Sequence, residues 1–377
     1  LKFDQHDLNL PRHSNKENNM TTQLDQWVAA ETVLSDVDGE AGRLILRGFD
    51  LESLAGKRSY EEVVSLLWDG IVEHGAQATG LQASLGQARD DAFSRLTPLL
   101  GAVSSLDTQE VMRALLAAPL RSGGNAPIQL LASVGVAAAL ATRHTLKLAP
   151  IEPDANISHA ADLLRMMRGR AGSPEEVVAL DTYLVSAIDH GLNASTFTAR
   201  VVASTNATTQ NALVAAFAAL TGPLHGGAPG PVLDMLDAIG SASKAQGWIE
   251  AELEAGRRLM GFGHRIYRVR DPRADVLKAA LQRLDPKAGR ISLAEAIEQV
   301  ALQMLNQKSR AKRLDTNTEF YTALLLEALG ISRASFTPVF ASARAAGWIA
   351  HVAEQKAVAR LIRPQSRYVG PAPRKAA

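Results

Sequence analysis

The chain has 377 residues, is 46% hydrophobic and 21% charged, and carries a formal net charge of +1. That is globular composition with enough chain for a large core and about two domains. A near-zero net charge gives no general footing on nucleic acid or an anionic membrane. The absence of cysteine excludes disulfides, thiolate metal sites and a cysteine nucleophile, and fits a reducing, cytoplasmic setting.

Residues 1–19 are polar, and Asp4, Asp7 and Glu17 balance their bases. They have neither an apolar signal core nor an acid-poor transit composition. We expect a disordered leader ahead of Met20, the natural start on this reading. GRLILRGFD at 42–50 is the one short alternating stretch, a small ribbon. Beyond it helical spacing recurs, with Val63, Leu66 and Leu67 in SYEEVVSLLWDG. PIQLLASVGVAAALA at 127–141 is too short and too alanine-rich to span a membrane, and reads as a buried helix. Leu163, Leu164 and Met167 mark another helix, and Ser173 with Pro174 starts the next. TGPLHGGAPGP at 221–231 crowds glycine and proline around His225, so it separates a helix ending near Leu220 from one starting near Val232. Ser292 reads as the cap of LAEAIEQVALQML. The coarse reading is all-α.

Of the histidines, His6 and His13 lie in the leader. His74, His144, His159 and His351 lie in or beside helical stretches, where surface or satisfied-core roles are the ordinary reading. His190 in DHGLNASTF, His225 in PLHGG and His264 in GFGHR are different, because glycine beside each allows close approach of backbone or ligand. Their separation and the lack of HEXXH argue against a metal site. No Walker sequence or GXSXG elbow occurs. What remains is acid–base chemistry on an anionic substrate, with histidines as proton donors and arginines as carboxylate forks. The stretch GFGHRIYRVRDPRAD supplies Arg265, Arg268, Arg270 and Arg273, with only one acid, Asp271, lying among them. RAKRLDTNTEF sets Arg310, Lys312 and Arg313 ahead of Glu319, which opens an apolar helix. Thr316 three residues earlier offers a capping box as the alternative role for that glutamate. Arg344 sits in the apolar run FTPVFASARAAGWIAH, where a buried charge needs a partner. Arg363 precedes a proline and is held extended.

DHGLNASTFTARV, GPLHGG, GFGHRIYRVRDPR, FYTALL and FTPVFASARAAGWIAH follow one another in the order found in the citrate synthase family. The chain resembles that family from Glu31 through RLIRPQSRYVGP, most closely its compact dimeric bacterial and archaeal form. The resemblance implies an all-helical fold with a large domain, residues 20–226 and 329–377, and a small inserted domain, residues 227–328. The site would lie in the cleft, with hinges near 222–230 and 328–332. Closure over oxaloacetate would create the site for acetyl-CoA and shield the thioester from wasteful hydrolysis.

By the same resemblance, His264 would hydrogen-bond the keto oxygen of oxaloacetate and His190 would also hold that substrate. Arg273, Arg344 and, from the other subunit, Arg363 would hold its carboxylates. His225 would donate to the thioester oxygen, and Arg268, Arg310 and Lys312 would meet the phosphates of coenzyme A. Glu319 stands where the family has its proton-abstracting aspartate, one methylene shorter. Thr322–Ala323, Leu46 and Gln365 are further departures. The implied reaction joins acetyl-CoA, oxaloacetate and water into citrate and coenzyme A, with no cofactor or metal. The alternatives are a 2-methylcitrate synthase using propionyl-CoA and a weakly catalytic paralogue. One methylene in a pocket is worth only about 1–3 kcal/mol of discrimination, so shared motifs do not separate the first two.

Overall fold

A computed structural model describes residues 28–73, 78–226, 229–264, 266–284, 290–308 and 314–371. Residues up to Val33 form one compact unit, of which the described part is irregular. Residues from Leu34 onward form the other. The expected leader, Met20, His6, His13, His74 and the domain boundary at residue 227 lie outside the described residues.

The second unit opens with an antiparallel ribbon, β1 (Ser35–Asp38), β2 (Arg43–Leu46) and β3 (Phe49–Asp50). Ser35 pairs with Leu46 and Ile45 with Asp50. The alternation read at 42–50 turns Leu44 and Leu46 into the core. Among the described residues the regular elements after it are helices: α1 (Leu51–Leu54), α2 (Tyr60–Trp68), α3 (Ala78–Leu96), α4 (Thr108–Leu116), α5 (Ala126–Thr145), α6 (His159–Arg168), α7 (Pro174–Ala187), α8 (Ala194–Ser204), α9 (Thr209–Leu220), α10 (Pro229–Ile239), α11 (Ala242–Glu254), α12 (Pro272–Leu284), α13 (Ile291–Lys308), α14 (Thr318–Ala328) and α15 (Phe336–Val358). The all-α reading holds.

The helix starts follow from local chemistry. Ser59, Asp107 and Ser173 each cap a helix with the side chain and donate the backbone N–H to the carboxylate of the glutamate three residues on. The helix at 229 begins three residues before the sequence suggests, because Pro229 and Pro231 fit a first turn whose N–H groups need no helical partner. Ser292 is not a cap. Its helix starts at Ile291, which is 6% exposed, so burial of that side chain draws the first turn back past the serine.

Two apolar helices organise the core. α5 is long and apolar enough to cross a membrane, yet it is mostly buried among its neighbours and packs on α3, α4, α6 and α15. α15 crosses α5, α7, α8 and α9, and its small residues allow close approach. A Cβ at Gly347 would overlap the Ile188 carbonyl oxygen and come within 3.0 Å of Asp189 Oδ1. The glycine therefore lets α15 rest on the end of α7, which sets Arg344 and His351 against residues 187–189.

Candidate active site

Between α7 and α8 the chain turns through His190 and Gly191 before Asn193 caps α8, accepting the Thr196 N–H at 3.1 Å. Asp189 is fully buried. It accepts from Ser35 Oγ and from His351 Nε2 at 3.2 Å, while His351 Nδ1 faces Arg200 Nη1 at 2.9 Å. Arg200 cannot accept, so it donates to Nδ1 and the ring proton of His351 sits on Nε2, toward the carboxylate. His190 is 6% exposed, its Nε2 lies 3.2 Å from Tyr267 Oη, and its ring centroid is 5.6 Å from that of His264. Burial, then Arg273 and Arg344, hold its pKa well below the usual histidine value, so it is neutral at pH 7.

His225 follows α9 on the tight glycine turn. Its Nε2 lies 3.3 Å from the Ser195 N–H and 2.8 Å from Ser195 Oγ. A backbone N–H can only donate, so Nε2 is an acceptor and the ring proton sits on Nδ1. Trp348 Nε1 donates to the same Ser195 Oγ at 3.2 Å. Burial and then Arg344 lower the His225 pKa to about 4. His225 is thus a neutral Nδ1–H donor.

His264 has the opposite tautomer. Its Nδ1 accepts the N–H groups of Ile266 and Tyr267, both at 3.1 Å, which leaves the ring proton on Nε2. The loop carrying it lies against the segment before α14. Gly263 N–H donates to Asp315 O at 2.7 Å, Asn317 N–H donates to Gly261 O at 3.0 Å, and Asn317 Nδ2 reaches Gly263 O at 2.8 Å. Gly261 has φ +84°, and a Cβ there would lie 2.8 Å from the Phe320 ring. Gly261 therefore admits α14, a close approach by protein of the kind the sequence reading allowed alongside ligand.

The four arginines of this loop divide. Arg273 is 6% exposed and forks Asp271, with Nε to Oδ1 at 3.0 Å and Nη2 to Oδ2 at 2.7 Å. Arg270 is committed to acids, namely Asp275 at 2.6 Å, Glu298 at 2.9 Å and Asp315 at 3.5 Å. Arg268 is exposed, 3.7 Å from Glu40. Arg265 lies outside the described residues, as do Arg310 and Lys312. The Arg344 guanidinium is buried, donates from Nε to Ala187 O at 2.7 Å and lies 5.0 Å from the Phe340 ring centroid. Its Nη groups make no hydrogen bond among the described residues. Burial lowers its pKa to about 10, so it stays cationic at pH 7. Arg363 is exposed on the extended stretch after α15, apart from these groups.

Glu319 is the second residue of α14. The capping box with Thr316 is not formed. Asn317 is the cap and accepts the Glu319 N–H at 3.0 Å, while Thr316 Oγ1 donates to Glu298 at 2.6 Å. The Glu319 carboxylate makes no hydrogen bond among the described residues. Burial raises its pKa to about 7 against the pull of Arg273 and Arg344, and Asp271 adds to the rise.

The arrangement brings His190, His225, His264, Arg273, Arg344 and Glu319 into one electrostatic neighbourhood. Tyr183 of α7, 3% exposed and interacting with Glu319, Arg344 and Arg273, belongs to it too, and the sequence gives no sign of it. Ser195 and Trp348 were equally hidden. Among the described residues no three His, Asp or Glu side chains are arranged to hold a metal ion.

An all-helical fold that gathers two histidine donors of opposite tautomer, a desolvated carboxylate and buried arginines defines an enzyme of acid–base chemistry on a small anion. The family model described as citrate synthase, C-terminal domain, matches residues 23–365. The chain is 37% identical to the citrate synthase of Haloferax volcanii over 92% of this chain and 95% of that protein. It is 35% identical to the citrate/2-methylcitrate synthase of Bacillus subtilis over 92% and 96%. A solved citrate synthase of Thermoplasma acidophilum, in ternary complex with carboxymethyl coenzyme A and oxaloacetate, superposes with a TM-score of 0.81 at 26% identity, covering 92% of this chain and 95% of that one. The chain belongs to the citrate synthase family and is an acyltransferase.

Proposed function

We propose that the protein condenses acetyl-CoA with oxaloacetate and water to give citrate and coenzyme A. The observation that carries this is that the buried Arg344 acts on both His225, locked as an Nδ1–H donor, and the desolvated Glu319 carboxylate, with Arg273 also beside the latter. Arg273 and Arg344 hold the oxaloacetate carboxylates, His190 adds a polar contact, and His264 donates from Nε2 to the keto oxygen. His225 donates from Nδ1 to the thioester oxygen while Glu319 removes a methyl proton. Charge that develops on that oxygen meets a preset donor. The resulting enol carbon attacks the keto carbon, the His264 proton passes to the new alkoxide, and water then cleaves the citryl thioester and releases the thiol.

A pKa near 7 suits Glu319 to this step. At neutral pH a large fraction is ionised, and the base is stronger than an ordinary carboxylate. Arg363 is exposed and makes no hydrogen bond or ion pair among the described residues, which supports a homodimer in which each chain lends it to the other site. Arg268, Arg310 and Lys312 remain the proposed phosphate contacts. We assign His264, Arg268, Arg273, Arg310, Lys312 and Glu319 to the small domain at 227–328 and His190, His225, Arg344 and Arg363 to the large one, with closure about hinges near 222–230 and 328–332. A cytoplasmic place in the tricarboxylic acid cycle accords with this chemistry.

The name of the Bacillus subtilis relative favours one second reading, propionyl-CoA as acyl donor. Thiol release with acetyl-, propionyl- and butyryl-CoA, each with oxaloacetate, tests both. Fastest turnover of acetyl-CoA is the expected result. Fastest turnover of propionyl-CoA makes the protein a 2-methylcitrate synthase, and negligible turnover of all three makes it a binding paralogue.

A further inference from the structure

We propose that Glu298 of α13 is a positioning residue that holds Arg273 and Glu319 in register by binding the segments that lead into each of them. Glu298 is 5% exposed, and among the described residues its hydrogen-bond partners lie in those segments or in α12. On one side Arg270 Nη1 donates to Oε1 at 2.9 Å, three residues before Arg273. On the other, Thr316 Oγ1 donates to Oε1 at 2.6 Å and Tyr321 Oη donates to Oε2 at 2.6 Å, so residues on both sides of Glu319 in sequence are tied to the same carboxylate. Lys278 of α12, the helix that Arg273 opens, lies 3.4 Å from Oε2.

The two oxygens are therefore shared between substrate-holding and proton-abstracting arms. Oε1 takes one donor from each arm, so neither arm can shift along its own direction without lengthening a charge-assisted bond to the other's anchor. The backbone reinforces this, because Gly263 and Asn317 already join the His264 loop to the start of α14. Glu298 touches no reacting atom in the proposed chemistry. Its effect passes through position, where a displacement of about 1 Å can cost on the order of 100-fold in rate.

The inference rests on the citrate synthase reading, and its test separates the two arms. Glu298→Gln, Arg270→Gln, Thr316→Val, Thr316→Ser and Tyr321→Phe are each assayed for kcat, KM for oxaloacetate and melting temperature. Displacements of a fraction of an ångström are expected to change the affected constant about tenfold. Arg270→Gln should raise KM for oxaloacetate and leave kcat nearly unchanged. Thr316→Val and Tyr321→Phe should lower kcat and leave KM nearly unchanged, and Thr316→Ser, which keeps the hydroxyl, should restore kcat. Glu298→Gln should do both, and adding Thr316→Val to it should cost little more. The proposal is overturned if Glu298→Gln leaves both constants as in the parent, or if every variant loses melting temperature without this division of kcat and KM. Should Glu298→Gln fail to fold, the threonine and tyrosine variants decide the proposal by the same division. If the parent turns over none of the acyl-CoAs, the functional reading fails instead. Calorimetry with oxaloacetate then tests Glu298, and unaltered affinity in both Arg270→Gln and Glu298→Gln overturns its role.

Discussion

Glu319 is a carboxylate that the fold holds at a cost, and replacing it with glutamine should make that cost measurable. In the folded protein its pKa is about 7, against 4.5 for an ordinary glutamate. At about 1.4 kcal/mol for each pH unit, ionised Glu319 opposes folding by about 3 kcal/mol above pH 8. The sign follows from the protons bound. Between pH 4.5 and 7 the folded state holds a proton that the unfolded chain has released, so stability from this group falls as pH rises through that window. Glu319→Gln is neutral at every pH and of the same size. It should therefore stabilise the protein by about 3 kcal/mol at pH 8.5 and by less than about 1 kcal/mol at pH 5. For 377 residues unfolding with about 2.1 cal/mol/K of entropy each, the gain at pH 8.5 is about 4 °C in melting temperature. The same variant should lose thiol release and exchange of the acetyl methyl protons while still binding oxaloacetate. Melting curves across pH 5–8.5, with activity measured in parallel, make the comparison. A melting temperature at pH 8.5 equal to or below that of the parent would refute the desolvated carboxylate. Near-full turnover would refute its role as base.

Gly347→Ala should lower stability by about 1–3 kcal/mol, as overpacking does, and weaken oxaloacetate binding, because the added methyl pushes α15 off the end of α7 where Arg344 donates to Ala187; melting curves and calorimetry would show both. Nitrogen NMR of labelled histidine should find His225 as the Nδ1–H tautomer at pH 7, titrating only near pH 4; an Nε2–H form would contradict the Ser195 geometry. Glu319→Asp should be slower than the parent if the backbone fits glutamate, and a much faster enzyme would show that the glutamate impairs catalysis. Heterodimers pairing an Arg363→Ala chain with a Glu319→Ala chain should recover activity, since one site keeps both groups; verified heterodimers without activity would exclude a shared site.

Much of this was legible in the sequence because the signals were local. Helical periodicity, Ser173 ahead of Pro174, and glycine beside His190, His225 and His264 all act within a few residues. The Asp271–Arg273 fork was within reach as well, since its partners are two residues apart. The errors came where a distant group won. Thr316 has the right spacing for a capping box with Glu319, but its hydroxyl goes to Glu298, and Asn317 takes the cap. Arg270 belongs to the same fan as Arg273, yet besides the nearby Asp275 it is held by Glu298 on α13. The proton on His225 is fixed by Ser195, thirty residues away in sequence and itself held by Trp348 on the last helix. No pattern within one segment encodes such pairings.

The fork between Arg273 and Asp271 also bears on which anions the site can ignore. Two of the guanidinium's three nitrogens are spent on a neighbour that never leaves, so the field an incoming anion meets there is already half cancelled. Chloride, phosphate or a monocarboxylate that reaches only this arginine gains little over water. A dicarboxylate long enough to engage Arg344 as well, whose charge has no such resident fork, collects both contributions at once. If the site holds oxaloacetate as proposed, the internal acid would make it favour a dianion of the right length over small monovalent anions.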